Sequence, residues 1–133
     1  MYILNRYISP YTANNLFLGI FDSEHLAEKA REEYILSISS EDPWAKQAYY
    51  EPNPAKDTSI LAVEDKRNNS ESTKVFLVTS YFEGMGQGVI RYDAVFCTIN
   101  EAEEFAELLE NNDENQPNWC EVNEVFVNQH IKN

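Results

Sequence analysis

Histidine, cysteine and glycine are scarce in this chain of 133 residues, which has two, two and four of them. The sequence accordingly lacks the C-x-x-C, H-E-x-x-H, P-loop and G-x-S-x-G motifs. His25 lies in a predicted first helical turn and His130 in the last few residues, so neither is well placed to activate a Ser or Cys nucleophile. We therefore expect a protein that is not an enzyme.

The two cysteines are too few for a disulfide framework. Cys97 and Cys120 both lie in apolar, strand-like stretches, which is typical of free thiols in a reducing compartment. The first eleven residues contain one cation and no long apolar run, and no stretch approaches the roughly 20 apolar residues of a membrane span. The sequence thus predicts a cytoplasmic protein without membrane contact.

The two features that resemble ligand sites have simpler explanations. The glycines of EGMGQGV, at 83–89, separate two predicted strands, whereas a phosphate loop leads from a strand into a helix. Glu103, Glu107 and Glu110 follow helical spacing, which produces a ridge of carboxylates and not an oxygen cage for a cation. We expect a hairpin turn at the glycines, no metal site and no cofactor.

What the sequence does have is negative charge. The formal net charge is −13, and the segment 98–114 (TINEAEEFAELLENNDE) contains seven carboxylates and no Lys or Arg. Residues 74–133 contain eleven acidic and three basic residues, against twelve and seven in residues 1–73. An extended anionic surface attracts cationic macromolecules and repels nucleic acid and anionic membranes.

The hydrophobic pattern predicts an α+β fold of two β-β-α-β pseudo-repeats, which form antiparallel sheets with two main helices packed on one side. A single continuous sheet without internal symmetry is the alternative. We expect one domain over residues 1–133, with halves at about 1–64 and 74–128 and a polar connector at 65–73. The predicted elements are strands at 2–8, 16–21, 59–64, 74–82, 89–97 and 120–128, and helices at 23–37 and 99–111.

The two helices have recognisable start signals and apolar stripes. Asp22 is expected to cap the first helix, and Thr98 with Glu101 forms the T-x-x-E capping box of the second. The predicted inward stripes are Leu26, Ala27, Ala30, Tyr34 and Ile38 in the first helix, and Ala102, Phe105, Ala106 and Leu109 in the second.

The segment 39–57 is long for a connection inside a compact domain, and it contains three prolines and many aromatic residues. Trp44, Tyr49 and Tyr50 are suited to a recognition surface, because large rings provide contact area with little loss of entropy. The alternative, which the need of a small protein to seal its core favours, is that these rings cover the open end of the first sheet. The sequence leaves both interpretations open.

The acidic second helix supports our leading hypothesis of a non-catalytic inhibitor. In this hypothesis the protein is of the immunity type or a nucleic-acid mimic, and it binds a basic partner, either a toxin or a nucleic-acid-binding protein, without binding nucleic acid itself. The expected partner-binding residues are Glu103, Glu104, Glu107, Glu110, Asp113, Glu114, Asp93, Trp44, Tyr49 and Tyr50. The alternative is a small regulatory or ligand-binding module, with an exposed edge strand that also allows a homodimer.

Overall fold

The protein has an α+β fold, and its described residues form two four-stranded sheets. The structure, a computed structural model, describes residues 1–7, 15–38, 53–69, 71–84, 87–112, 114 and 116–130. These residues contain three helices, two of them substantial, and none is long and apolar enough to cross a membrane. The strands are β1 (Tyr2–Tyr7), β2 (Asn15–Phe21), β3 (Thr58–Ala62), β4 (Glu64–Asp65), β5 (Lys74–Gly84), β6 (Gln87–Phe96), β7 (Trp119–Phe126) and β8 (Gln129–His130). The helices are α1 (Glu24–Ile38), α2 (Pro54–Asp57) and α3 (Ile99–Glu110).

The prediction of two main helices is confirmed, with ends that differ from the expected ones by at most one residue. The chain divides into two compact units. The described residues up to Ala62, together with those from Asn128 onward, form the first unit, and Val63–Val127 belongs to the second.

The first unit contains a sheet with the strand order β3-β1-β2-β8, in which every neighbouring pair is antiparallel. Its β1–β2 hairpin has a register shift between Leu4 and Asn5, which leaves Leu18 as the extra residue of β2. Helix α1 packs on this sheet through the stripe predicted from the sequence: Ala27, Ala30, Tyr34 and Ile38 are all buried. The exception is Leu26, which is 38% exposed and does not belong to the stripe.

The expected role of Asp22 as the cap of α1 is wrong. The hydroxyl oxygen of Ser23 accepts the hydrogen bond from the Leu26 amide at 3.2 Å and so caps the helix. Asp22 instead exchanges two hydrogen bonds with the side chain of Asn128, at 3.0 and 3.1 Å. Asn128 has a φ of 63°, a conformation that asparagine tolerates better than most residues, and its amide donates to the Ile20 carbonyl. These contacts explain why the chain returns to the first unit at its end.

Arg6 is a fully buried cation in the middle of the first unit, with an exposure of 0%. Its Nη1 donates to the Tyr34 hydroxyl at 3.0 Å, and its guanidinium lies 5.9 Å from the centre of the Tyr34 ring. The Asp57 carboxylate is 3.8 Å from Nη2. Because an unpaired buried charge is costly, these neighbours make Arg6 a structural element of the core.

The second unit contains a sheet with the strand order β4-β6-β5-β7. Strand β4 runs parallel to β6, and the other pairs are antiparallel. The β5–β6 hairpin has a register shift between Val78 and Thr79, which leaves Asp93 as the extra residue of β6. Helix α3 packs on one face of this sheet through Ala102 and Ala106. Five partly buried residues of the helix and the strands surround this contact: Phe76, Phe105, Leu109, Cys120 and Val122.

The capping box of α3 forms at the predicted place. The Glu101 amide donates to Thr98 Oγ1 at 3.3 Å, and the Thr98 hydroxyl donates to the Glu101 carboxylate at 2.8 Å. At the other end of α3, the Gln116 side chain donates to the Glu110 carbonyl at 2.8 Å. Both ends of the helix are therefore fixed by side chains of the same unit.

The polar segment 65–73 is more structured than a simple connector. Strand β3 ends at Ala62, two residues before the predicted end, and β4 then pairs with β6 of the second sheet. The Arg67 side chain is 4% exposed, and it donates to both carboxylate oxygens of Asp65 and to the Ser72 carbonyl. The hydrogen bonds from Arg67 hold the pKa of Asp65 below its usual value. The predicted connector therefore begins as part of the second sheet.

Candidate functional site

Negative charge is concentrated in the second unit. By sequence, Val63–Val127 contains fourteen acidic and four basic residues, a formal charge of −10 out of the total of −13. The rest of the chain contains nine acidic and six basic residues, a formal charge of −3. The acidic character predicted for the second half therefore belongs to one compact unit.

The outer surface of α3 presents three exposed glutamates, which we call the α3 acidic face: Glu103, Glu104 and Glu107. Within the described part of the chain, none of the three carboxylates has an ion-pair or hydrogen-bond partner. A cation of the same unit, Lys66, lies 5.4 Å from the centre of the Phe105 ring, but it is paired with Glu64 at 3.3 Å. No cation among the described residues therefore pairs with the α3 acidic face.

An exposed leucine lies beside these glutamates. Leu108 is 72% exposed and lines a shallow depression of about 330 Å³ together with Glu104, Glu107 and Asn111. An apolar side chain surrounded by charged ones resembles, in composition, the centre and rim of a protein interface. The depression is shallow, so it is suited to a protruding side chain of a macromolecule and less suited to a small ligand.

The sequence grouped Glu110 with the α3 acidic face, but the structure gives it a different environment. Its carboxylate accepts a hydrogen bond from the backbone amide of Cys120 at 3.1 Å and so links the end of α3 to the start of β7. Glu114 is exposed, and its amide donates to the Asn112 side chain at 3.1 Å. Asp113 lies outside the described residues.

Asp93 is placed differently from the α3 glutamates. Its side chain is only 7% exposed, and its two oxygens accept hydrogen bonds from Ser80 and from Arg91 Nε, each at 2.5 Å. Asp93 is the extra residue of a β-bulge, so its side chain departs from the regular alternation of side chains between the two faces of the sheet. Arg91 in turn lies 4.8 Å from the centre of the Phe82 ring. Asp93 therefore orients Arg91, and its own carboxylate is already engaged.

Both cysteines lie among the described residues, and Cys120 does not have the environment of a nucleophile. Cys97 and Cys120 are free thiols, as the sequence indicated. Burial raises the pKa of Cys120 and so disfavours the reactive thiolate. Within the residues that the structure describes, no three His, Cys, Asp or Glu side chains are grouped so that they could hold a metal ion.

The aromatic residues predicted as a recognition surface, Trp44, Tyr49 and Tyr50, lie outside the described residues. The described part of the chain has another aromatic pair, which the sequence analysis missed. Tyr81 and Trp119 stack with their ring centres 5.0 Å apart, and the Tyr81 hydroxyl donates to Glu121 at 2.9 Å. The pair forms across the β5–β7 register, so no local pattern in the sequence could reveal it.

We expect the stability of the protein to fall as the pH rises from about 10 to about 12. Burial and the hydrogen bond to Glu121 raise the pKa of Tyr81 to about 12, and burial raises that of Tyr92 to about 12. Tyrosines in the unfolded chain ionise near pH 10. The stability that the raised pKa values contribute is therefore complete below about pH 10, and it is lost as the pH rises through the pKa values of the folded protein. Urea unfolding at about pH 9 and about pH 11 measures the change.

The matched variant for this prediction is Tyr81→Phe combined with Tyr92→Phe. It removes both titrating groups, so it should lose less stability than the parent protein over the same pH interval. Equal losses in the two proteins would show that other groups cause the alkaline destabilisation.

No family model, curated protein or solved structure matches this chain. Functional conclusions therefore depend on the chemistry of the described residues.

Proposed function

We propose that this protein is a non-catalytic, acidic binding protein of the inhibitor or immunity type, which binds a basic protein partner through the α3 acidic face. The observation that carries the proposal is that Glu103, Glu104 and Glu107 are exposed and have no ion-pair partner in the described part of the chain. The partner is a toxin or a nucleic-acid-binding protein whose own ligand is anionic.

The spacing of these glutamates places like charges close together on α3. Glu103 and Glu107 are four residues apart, and Glu104 and Glu107 are three apart, so the Glu107 carboxylate is repelled by both of the others. Each like-charged pair costs a helix a few tenths of a kcal/mol. A cationic partner would relieve this repulsion, and the field of a unit with a formal charge of −10 would accelerate its association.

Leu108 adds a specific contact to this general attraction. Charge alone does not distinguish one basic protein from another, because long-range attraction depends little on shape. The exposed Leu108, flanked by Glu104 and Glu107, could insert between basic side chains of the partner and exclude water there. Binding would then combine an apolar centre with a charged rim.

We also propose that the two halves, at about 1–64 and 74–128, are pseudo-repeats of one β-β-α-β unit. Both sheets have the same order, in which the strand after the helix pairs with the first strand of the hairpin. Both hairpins also have an extra residue in their second strand, Leu18 in one and Asp93 in the other. In this proposal the second copy became the acidic binding unit.

The test reverses two charges on α3. In the variant Glu103→Lys with Glu107→Lys, the affinity for a cationic probe, poly-lysine of about 20 residues, should fall at least about tenfold at low salt. The salt dependence of the remaining binding should also be weaker, because fewer charge contacts are screened. Titration calorimetry at two salt concentrations measures both quantities. Glu110 is kept because its carboxylate bonds to the Cys120 amide.

The matched control is Glu28→Lys with Glu32→Lys on α1. These glutamates are also exposed and four residues apart, so the net charge changes equally at a different surface. The control should retain its affinity within about threefold. Equal losses in the two variants would mean that binding follows net charge, and the α3 acidic face would then be only a solvated surface.

A further inference from the structure

We propose that the outer edge of β7 binds an extended, basic segment of the partner as an additional strand of the second sheet. This inference rests on the proposed function, because it identifies how the cationic partner is recognised. Strand β7 is the last strand in the order β4-β6-β5-β7, so one of its edges has no strand beside it among the residues that the structure describes.

The hydrogen-bond pattern shows which backbone groups point outward. The Val127 amide donates to the Thr73 carbonyl at 2.7 Å, so the pair formed by these two residues is a hydrogen-bonded one. Hydrogen-bonded pairs recur at every second residue of an antiparallel ladder. The amides of Val122, Glu124 and Phe126 therefore point away from β5 and towards the free edge.

Glu110 supports this assignment independently. The Cys120 amide, which belongs to the same outward series, donates to the Glu110 carboxylate and not to β5. This bond occupies the outward amide near the start of β7. The outward amides of Val122, Glu124 and Phe126 remain for another strand. A free edge of this kind is a template for strand addition.

The charges along β7 favour a basic occupant over a second copy of the chain. Glu121 and Glu124 are exposed on the two faces of β7, and Glu110 lies at its beginning. Lys74, next to the end of β7, is 3.9 Å from Glu124. Two copies of β7 side by side would bring these glutamates together, and like charges on adjacent strands are destabilising. A strand that carries lysines or arginines is complementary to this edge.

The corresponding edge of the first sheet is less suitable. Strand β3, at the corresponding position of the first sheet, has five residues, TSILA, and no charged side chain. Strand β7 has eight residues, and its ends carry the exposed rings of Trp119 and Phe126, at 39% and 48% exposure. The longer edge offers more backbone bonds and two aromatic contacts.

The experiment compares Glu124→Pro with Glu124→Gln. Both variants remove the charge of Glu124 and its contact with Lys74, but only proline also removes the outward amide. Proline is tolerated on an edge strand where the amide faces solvent, so both variants should fold, which circular dichroism and urea unfolding verify. The probe is a synthetic peptide of alternating Lys and Val, about ten residues long.

If β7 accepts a strand, Glu124→Pro should weaken peptide binding at least about tenfold relative to Glu124→Gln. In the parent protein, the peptide should also slow hydrogen exchange of the Val122, Glu124 and Phe126 amides at least about tenfold. Electrostatic attraction without strand pairing would not protect these amides. A peptide with a fully N-methylated backbone keeps its charges and should not protect them either.

The other possible results distinguish the edge proposal from the α3 proposal. Equal peptide affinity of the proline and glutamine variants, without amide protection, would overturn strand addition and leave the α3 proposal standing. If the proline variant loses affinity but Glu103→Lys with Glu107→Lys does not, the α3 proposal fails and the edge proposal stands. A parent protein that does not bind the peptide but forms a dimer, which Glu124→Pro dissociates, would assign the edge to a second copy and overturn the basic occupant.

Discussion

Replacing Arg6 with alanine should lower the free energy of unfolding by about 3 to 5 kcal/mol, the largest loss that we expect from a single substitution in this chain. The Arg6 side chain is completely buried and donates to the Tyr34 hydroxyl. Its removal would leave a cavity in the first unit, and it would leave the Asp57 carboxylate without a cation that now lies 3.8 Å away. Urea unfolding at neutral pH measures the change.

Arg6→Lys is the informative comparison for this substitution. Lysine keeps the positive charge, but it has no planar fork of donors with which to reach Tyr34 and Asp57 together. We therefore expect an intermediate loss of stability. A loss of less than about 1 kcal/mol for Arg6→Ala would contradict a structural role for the buried guanidinium.

The second large effect concerns the contact between α3 and its sheet. Phe105→Ala should lower the free energy of unfolding by about 3 kcal/mol. The Phe105 ring packs against the core of the second unit, with its centre 5.2 Å from that of the Phe96 ring. The expected loss is at the lower end of the range for phenylalanine because the ring is only partly buried.

Leu108→Ala is the matched control for Phe105→Ala. It lies on the same helix, but its side chain is 72% exposed, so its truncation should change the stability by no more than about 0.5 kcal/mol. Similar losses for the two variants would mean that the buried and exposed sides of α3 are assigned incorrectly. Leu108→Ala also tests the proposed interface, since it should reduce partner binding without affecting the fold.

Helix positions and their buried sides could be predicted well because their causes are local. The capping box at Thr98 and Glu101 lies within four residues, and the stripe of Ala102 and Ala106 has the period of a helix. The error at the start of α1 has a tertiary cause. Asp22 is a good cap by type, but Asn128 occupies its side chain from 106 residues away. Ser23 then fulfils the capping role.

The environment of the acidic residues could be predicted only in part. Helical spacing alone predicted the exposed positions of Glu103 and Glu107. The same spacing placed Glu110 with them, and only the position of β7 shows that its carboxylate bonds to the Cys120 amide. Asp93 was expected among the partner-binding residues, but a β-bulge turns its side chain towards Ser80 and Arg91. Bulges depend on strand pairing and are not visible in a single strand.

The sequence by itself determined the α+β class, the two helices, the free thiols and the concentration of charge in the second half, because composition and short-range periodicity are properties of the chain. Only the tertiary structure decided that Arg6 is buried, that β4 and β8 become edge strands, and which amides of β7 face outward. These features depend on which strands pair and in which register, and residues far apart in the chain determine that pairing.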